Sequence, residues 1–334
     1  MLLNHQVLRV RQHIPRYIAF ALVLLFCTSP AFANQQPPSG SKASEAHKKS
    51  SLIYVSDFFA FTGRDTAGHV TFALDNNRGQ DGDTWQTEHL LVLLHDEHKG
   101  WQNLNGARSY ENTKKILFTL PNSPYVTFTG EPSTGLTIKH LESHLKLQVQ
   151  PIHKRVTRKD GPSHYQMGSA SATMTWQGRT LTGWVIHEHL EMVDFNRLTH
   201  QYFDLWTESY GLYAWAENSS DFLNVHQQAE DTRLTPLIGN VVGFSETNKR
   251  GESLQDLQLT VKDSTQAIGF YQWPQGWTGQ WTGQHGAGSL NIQITDLHVI
   301  SNFILGGLAM GIIQGSITYQ GQTRKIYGIA EVLL

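Results

Sequence analysis

Beyond its first fifty residues the chain reads as an almost entirely β protein built as two antiparallel domains, and three observations predict this. Short runs with apolar residues at every second position recur from Leu52 to the C-terminus. The 29 glycines, with abundant Thr, Val, Ile and aromatic residues, favour strands and turns over helices. A stretch late in the chain repeats one in its middle. With 334 residues, 39% hydrophobic and 16% charged, there is enough apolar material for two cores.

The N-terminus reads as an export signal. Arg9, Arg11 and Arg16 precede an apolar run from Tyr17 to Phe26, and Ala31-Phe32-Ala33 is a small-x-small cleavage site. The run is short for a membrane anchor. Cleavage after Ala33 removes three arginines and no acids, taking the formal charge from −2 to about −5. It also removes Cys27, the only cysteine, so no disulfide or thiol chemistry is expected in the mature chain. The expected location is periplasmic or secreted. No basic patch suggests nucleic acid, and mild acidity disfavours an electrostatic hold on anionic membranes. Residues 34–50 are polar, rich in Pro, Gly and Ser, and read as a flexible leader.

The strands follow in order. Val70, Phe72 and Leu74 share one face, as do Leu145, Leu147 and Val149, then Leu257, Leu259 and Val261, then Leu290, Ile292 and Ile294. Each set alternates with polar residues, the pattern of a half-buried antiparallel strand. His89-Leu-Leu-Val-Leu-Leu94 is continuously apolar and is expected to be buried on both faces. Residues 300–313 are the one stretch compatible with a helix, although Gly306 and Gly307 count against it.

Residues 173–188 (TMTWQGRTLTGWVIHE) resemble residues 316–331 (SITYQGQTRKIYGIAE). Each has a strand ending in an aromatic residue and Gln-Gly, then a second strand with a Gly and a Glu. Two unrelated hairpins sharing a favourable turn would look similar. Two related β-domains, 51–195 and 196–334, are the alternative.

Along residues 181–192, Trp184, Ile186, Glu188, Leu190 and Met192 fall on one face and Val185, His187, His189 and Glu191 on the other. A carboxylate in an apolar stripe is costly unless paired or used. Burial would raise the pKa of Glu188 and hold it protonated, as a general acid requires. Trp184, Trp206 and Trp215 could then stabilise a carbocation. The structural alternative is an acid satisfied by neighbouring donors, and the recurrence of Glu331 in the second copy favours it. His187 and His189 project together as metal ligands would, but a solvated polar face explains the same pattern, and no metal is assigned. His95-Asp96-Glu97-His98 is read as an exposed turn. Trp273, Trp277 and Trp281, in a Gly/Pro-rich segment, are either a pocket lid or a plug for one end of a barrel. No nucleophile elbow, phosphate loop or dinucleotide fingerprint is present, so no cofactor is expected.

Asp57 to Leu74 resembles the opening motif of the lipocalin-like carotenoid 1,2-hydratase/AttH superfamily, with Phe58, Phe59, Phe61, Thr62, Gly63 and Gly68 at the matching positions. Residues 178–192 resemble the family's central motif, with His187 and Glu188 in the polar pair. Residues 202–216 and 328–334 resemble its aromatic hairpin and terminal strand. Where the family has Asp before the His, this chain has Ile186. The resemblance implies two lipocalin-like antiparallel barrels or half-barrels packed together, with an apolar pocket, and cofactor-free hydratase or cyclase chemistry among the members. The expected function is therefore binding of an apolar small molecule, lipid or isoprenoid-like, within a β-barrel. The alternative is a cofactor-free hydratase, cyclase or isomerase with Glu188 as acid and His187 beside it. Phe59, Phe61, Trp184, Trp206, Trp215 and Trp277 are the expected ligand contacts. A carbohydrate-binding role for the tryptophan segment is a third reading.

Overall fold

The computed structural model describes residues 53–81, 84–105, 110–112, 120, 122–152, 154–193, 209–217, 221–228, 241–243, 252–253, 256–262, 265–283, 286–303 and 306–334. Residues 1–33 and 34–50, read above as an export signal and a leader, and Trp206 lie outside them. Every regular element described is a strand. The first half contributes β1 (Ile53–Asp65), β2 (Gly68–Asp81), β3 (Thr84–Asp96), β4 (Gly100–Asn105), β5 (Tyr110–Asn112), β6 (Val126–Glu131), β7 (Gly135–His140), β8 (Leu145–Val149), β9 (Lys154–Asp160), β10 (Ser163–Trp176) and β11 (Arg179–Val193). The second half contributes β12 (Ser209–Ala216), β13 (Phe222–Gln228), β14 (Val241–Gly243), β15 (Glu252–Ser253), β16 (Gln258–Val261), β17 (Thr265–Ile268), β18 (Tyr271–Pro274), β19 (Gly276–Gly283), β20 (Gly286–Phe303), β21 (Gly306–Tyr319) and β22 (Gln322–Leu333).

Two curled antiparallel sheets result, with β17 and β18 paired as a separate two-stranded sheet. One runs β4-β3-β2-β1-β11-β10-β8-β7-β6, with β5 and β9 attached at β3 and β10; the other runs β15-β14-β13-β12-β22-β21-β20-β19-β16. In each, the last strand of the half returns to pair with the first. The repeat seen in the sequence is thus also a repeat of topology. Gln177-Gly178 and Gln320-Gly321 make equivalent tight turns, all four residues having positive φ, as a type I′ hairpin requires.

Three apolar layers follow. Phe59, Phe61, Phe72, Leu74, Leu147 and Met174 fill the inside of the first curl. Leu212, Trp273, Trp277, Ile292 and Ile313 fill the inside of the second. Between the sheets lie Phe58, Leu91, Leu93, Tyr165, Ile186 and Leu190 from one and Tyr213, Trp215, Phe222, Met310 and Ile329 from the other. Each large side chain buried in these layers contributes about 1.5–3 kcal/mol relative to exposure.

The central strands are therefore covered on both faces. Residues 89–94 behave as expected: Leu90, Val92 and Leu94 point into the first curl, while Leu91 and Leu93 point at the second sheet. The described residues of 300–313 are not helical. They form the end of β20 and the start of β21, paired from Val299↔Ala309 to Phe303↔Gly306. The adjacent glycines open a strand rather than break a helix. The tryptophan segment is not a lid: Trp273 and Trp277 are fully buried and Trp281 nearly so, on strands β18 and β19. Of His95-Asp96-Glu97-His98, only the last two are exposed. His95 bonds Asp296, and Asp96 accepts from Arg179 and caps its own turn.

The hairpin that closes the first sheet is pinned by Arg179, whose guanidinium forks onto Asp65 at 2.7 and 2.8 Å and also reaches Asp96. Asp65 is held at a pKa of about 2, first by its hydrogen bonds from Arg179.

Candidate functional site

Antiparallel register sets the site. On β1, Asp57 and Phe59 lie opposite His189 and His187 of β11. Directly opposed residues share a face, so all four side chains project into the first curl. On the other flank of β11, Gln166 faces His189 and Gly168 faces His187. Gly168, having no side chain, leaves space in front of the His187 ring. A cavity of about 190 Å³ occupies that space. Asp57, His187, His189 and Gln166 form its polar wall; Leu120, Pro132 and Ile152 supply apolar surface, and Glu131 and Ser133 lie on its rim.

Asp57 is the hub. It is 3% exposed. One oxygen accepts from His187 Nε2 at 2.7 Å and His189 Nδ1 at 2.9 Å; the other accepts from the guanidinium of Arg78. Arg78 is itself 2% exposed and also donates to Asn76. Burial pushes the Asp57 carboxyl up, but the charges of His189 and Arg78 and the two imidazole bonds hold it well below the usual range. Burial likewise pulls His189 down, and the facing carboxylates outweigh it, placing that imidazole at about 9. His187 stacks on Phe59, ring centroids 4.3 Å apart, which fixes the plane that Asp57 has already aligned. The wall thus carries an ionised acid with an oriented imidazole on either side.

Glu188 lies elsewhere. It faces Phe58 and Met167 across its neighbouring strands, on the layer between the sheets. There its carboxylate accepts from His226 at 2.8 Å and from Asn224 at 3.3 Å. The expectation of a protonated acid is corrected: burial raises its pKa, yet the charge and hydrogen bond of His226 bring the net shift down. His226 is correspondingly raised, Glu188 outweighing the cost of burial. Glu331, at the equivalent place in the repeat, lies on the same layer, opposite Met310. Trp215 and Trp184 also belong to that layer, Trp215 donating to Ser169 at 3.4 Å. Trp277 is core of the second curl. Of the residues picked from sequence, His187 lines the cavity, with Phe59 stacked on it and Phe61 in the same inner layer.

The expected solvated face of β11 is instead interior. His189 and Glu191 are buried, and His187 is 11% exposed at its side chain. Asp57 and Arg78 were missed as site residues. The available signal was that β1 carries alternating Asp57, Phe59 and Phe61 in register with the His187–His189 row.

The Glu188–His226 pair has a definite pH signature. Glu188 contributes stability above its unfolded value near 4.5, lost as pH falls through its lower folded value; His226 contributes below 6.5, lost as pH rises through its higher folded value. Full stabilisation is therefore expected between pH 4.5 and 6.5. Urea denaturation of Glu188→Gln should show its greatest deficit in that window, about 3–5 kcal/mol for a broken buried pair, narrowing above pH 7.

No family model and no curated protein matches the chain. Solved structures do match. Kievitone hydratase from Nectria haematococca aligns at 10% identity over 83% of this chain and 88% of its own, with a TM-score of 0.57. A protein assigned as an AttH from Nitrosomonas europaea aligns at 11% identity over 89% of this chain and 99% of its own, with a TM-score of 0.52. The chain has the two-sheet, lipocalin-like fold of these proteins. Among the described residues no helix is long and apolar enough to cross a membrane.

Proposed function

We propose that the chain binds a small, one-ring or short-chain molecule inside the first curl and carries out cofactor-free proton transfer on it, in the manner of a hydratase or related lyase. The observation that carries this reading is Asp57: a buried carboxylate aligning His187 in a cavity wall. A carrier of purely apolar ligands has no use for that arrangement, because burying an acid and two imidazoles costs free energy that an aliphatic lining would not. The kievitone hydratase fold supports the same direction. The cavity, at about 190 Å³, exceeds the roughly 150 Å³ that accommodates benzene and falls below the range of drug-sized sites.

In this reading His187 gives a proton to an unsaturated carbon of the substrate. Water adds to the resulting cation and its proton returns to the site, so atoms and charge balance. Asp57 remains ionised and holds the imidazole orientation, as the acid of a catalytic triad does. Glu188 serves the contact between the sheets instead. The reading of residues 1–33 as an export signal places this activity in the periplasm or outside the cell.

The test uses 4-vinylphenol and related monocyclic alkenyl phenols in heavy-oxygen water. The wild type should accelerate incorporation of solvent oxygen, and His187→Ala should lose about 10²–10⁴-fold of that rate while binding changes only a few-fold. The carrier reading rests on the apolar portion of the lining, Leu120, Pro132 and Ile152. Saturable binding with no turnover, equal in wild type and variant, would establish it and overturn the enzyme.

A further inference from the structure

Behind His189, on the side away from the cavity-lining His187, a second group of side chains converges. β10 and β11 pair with His164 opposite Glu191, and His189 lies two residues along on the same face. Glu191 sits between the two imidazoles, with His164 Nδ1 at 2.9 Å from one oxygen and His189 Nε2 at 3.5 Å from the other. One ligand atom from each of the three lies within 4.8 Å of the others. Their side chains are 14%, 10% and 6% exposed.

From this geometry we infer a binding site for one divalent transition-metal ion of the zinc type, held by His164, His189 and Glu191. Zinc bonds imidazole nitrogen and carboxylate oxygen at about 2.0–2.2 Å, so the edges of its tetrahedron measure roughly 3.3–3.6 Å. The His189–Glu191 separation of 3.5 Å lies within that range, and the His164–Glu191 separation of 2.9 Å, to the other carboxylate oxygen, is shorter. The three ligand atoms lie within 4.8 Å of one another, binding draws them closer and displaces the protons the imidazoles share with Glu191, and a fourth position remains for water or a ligand atom.

The outer partners fit as well. A metal-bound imidazole characteristically donates its other N–H to a carboxylate, which fixes its tautomer and strengthens it as a ligand. His189 makes that bond, Nδ1 to Asp57 at 2.9 Å. Asp57 is in turn anchored by Arg78. The same anchor argues against the other combination available, Asp57 with His187 and His189. A cation there would sit against the guanidinium that already occupies Asp57, whereas at Glu191 it meets a carboxylate flanked by imidazoles. The inference does not depend on the proposed chemistry in the cavity, since His187 takes no part in the metal set.

The experiment uses the untagged full-length chain, treated with chelator and dialysed. Titration with zinc chloride by calorimetry should give one tight equivalent with a micromolar or lower dissociation constant. Cobalt(II) should produce the intense visible absorption of a tetrahedral site. His164→Gln and Glu191→Gln should each weaken zinc binding at least about tenfold, while His298→Gln, outside the set, should not. Because the variants could fold poorly, X-ray absorption at the zinc edge of the wild type provides an independent reading. It should show two imidazoles and oxygen ligands. Absence of a saturable equivalent, or a wild-type spectrum without two imidazoles, would overturn the site. So would zinc affinity unchanged in both folded variants.

Discussion

Asparagine in place of Asp57 should remove about 3–5 kcal/mol from the free energy of unfolding. The reason lies in what it strands. Arg78 is 2% exposed and cannot reach water, and its guanidinium loses the carboxylate that balances it. His187 and His189 lose their common acceptor at the same time. An unpaired buried charge costs far more than the pair was worth, so a second substitution should restore part of the loss. Asp57→Asn with Arg78→Met should be more stable than Asp57→Asn alone, a negative cooperativity readable in a double-mutant cycle. Urea melts of the four proteins make the comparison. A loss below 1 kcal/mol in the single variant would mean that water reaches Arg78, and that the inside of the first curl is open.

A methyl group added to Gly183 should be worse still for folding, at more than about 4 kcal/mol, the range reserved for specific structural faults. Gly183 pairs with Gly63 where β11 crosses β1, and a Cβ there would sit 1.9 Å from the carbonyl oxygen of Thr62 and 2.5 Å from the Cα of Gly63. Both obstacles are backbone, so no side-chain rotation relieves them. Gly328 meets the same obstruction in the second sheet, 1.9 Å from the carbonyl oxygen of Tyr213. Gly178→Ala is the control. Its φ of 77° is strained for alanine, but no atom lies within 4 Å of the added carbon, so about 1–2 kcal/mol is expected. Thermal melts should rank the wild type above Gly178→Ala, with Gly183→Ala and Gly328→Ala far below or insoluble. Near-normal melting of Gly183→Ala would contradict the close approach of β1 and β11.

Much of the fold was legible because alternation reports burial directly. The four sets of every-second-residue apolar positions all fell in cores, and the unbroken run at 89–94 marked a strand covered on both sides. The repeat was legible because its turn needs two residues at positive φ, which narrows the residues that serve. The site was harder for a physical reason. Alternation shows that two faces differ, not that one is wet. On β11 the apolar row meets the second sheet, and the polar row meets the interior of its own curl, where Asp57 and Arg78 satisfy it. Those partners come from β1 and β2, more than a hundred residues earlier. Nothing within residues 181–192 announces them. The same limit explains Glu188, whose partner His226 belongs to the other sheet. The tryptophans misled because Gly and Pro suggest loops, whereas glycines in β19 make room: a Cβ on Gly276 would lie 2.3 Å from the carbonyl oxygen of Ile292.

The most direct measurement is a crystal structure of the protein soaked with p-cresol, a one-ring phenol that fits the cavity. It should place the ring inside the first curl against Leu120 and Ile152, its hydroxyl within hydrogen-bond distance of His187 or Asp57. Crystals that show those two side chains facing bulk solvent, or the space before Gly168 filled by protein, would contradict the account.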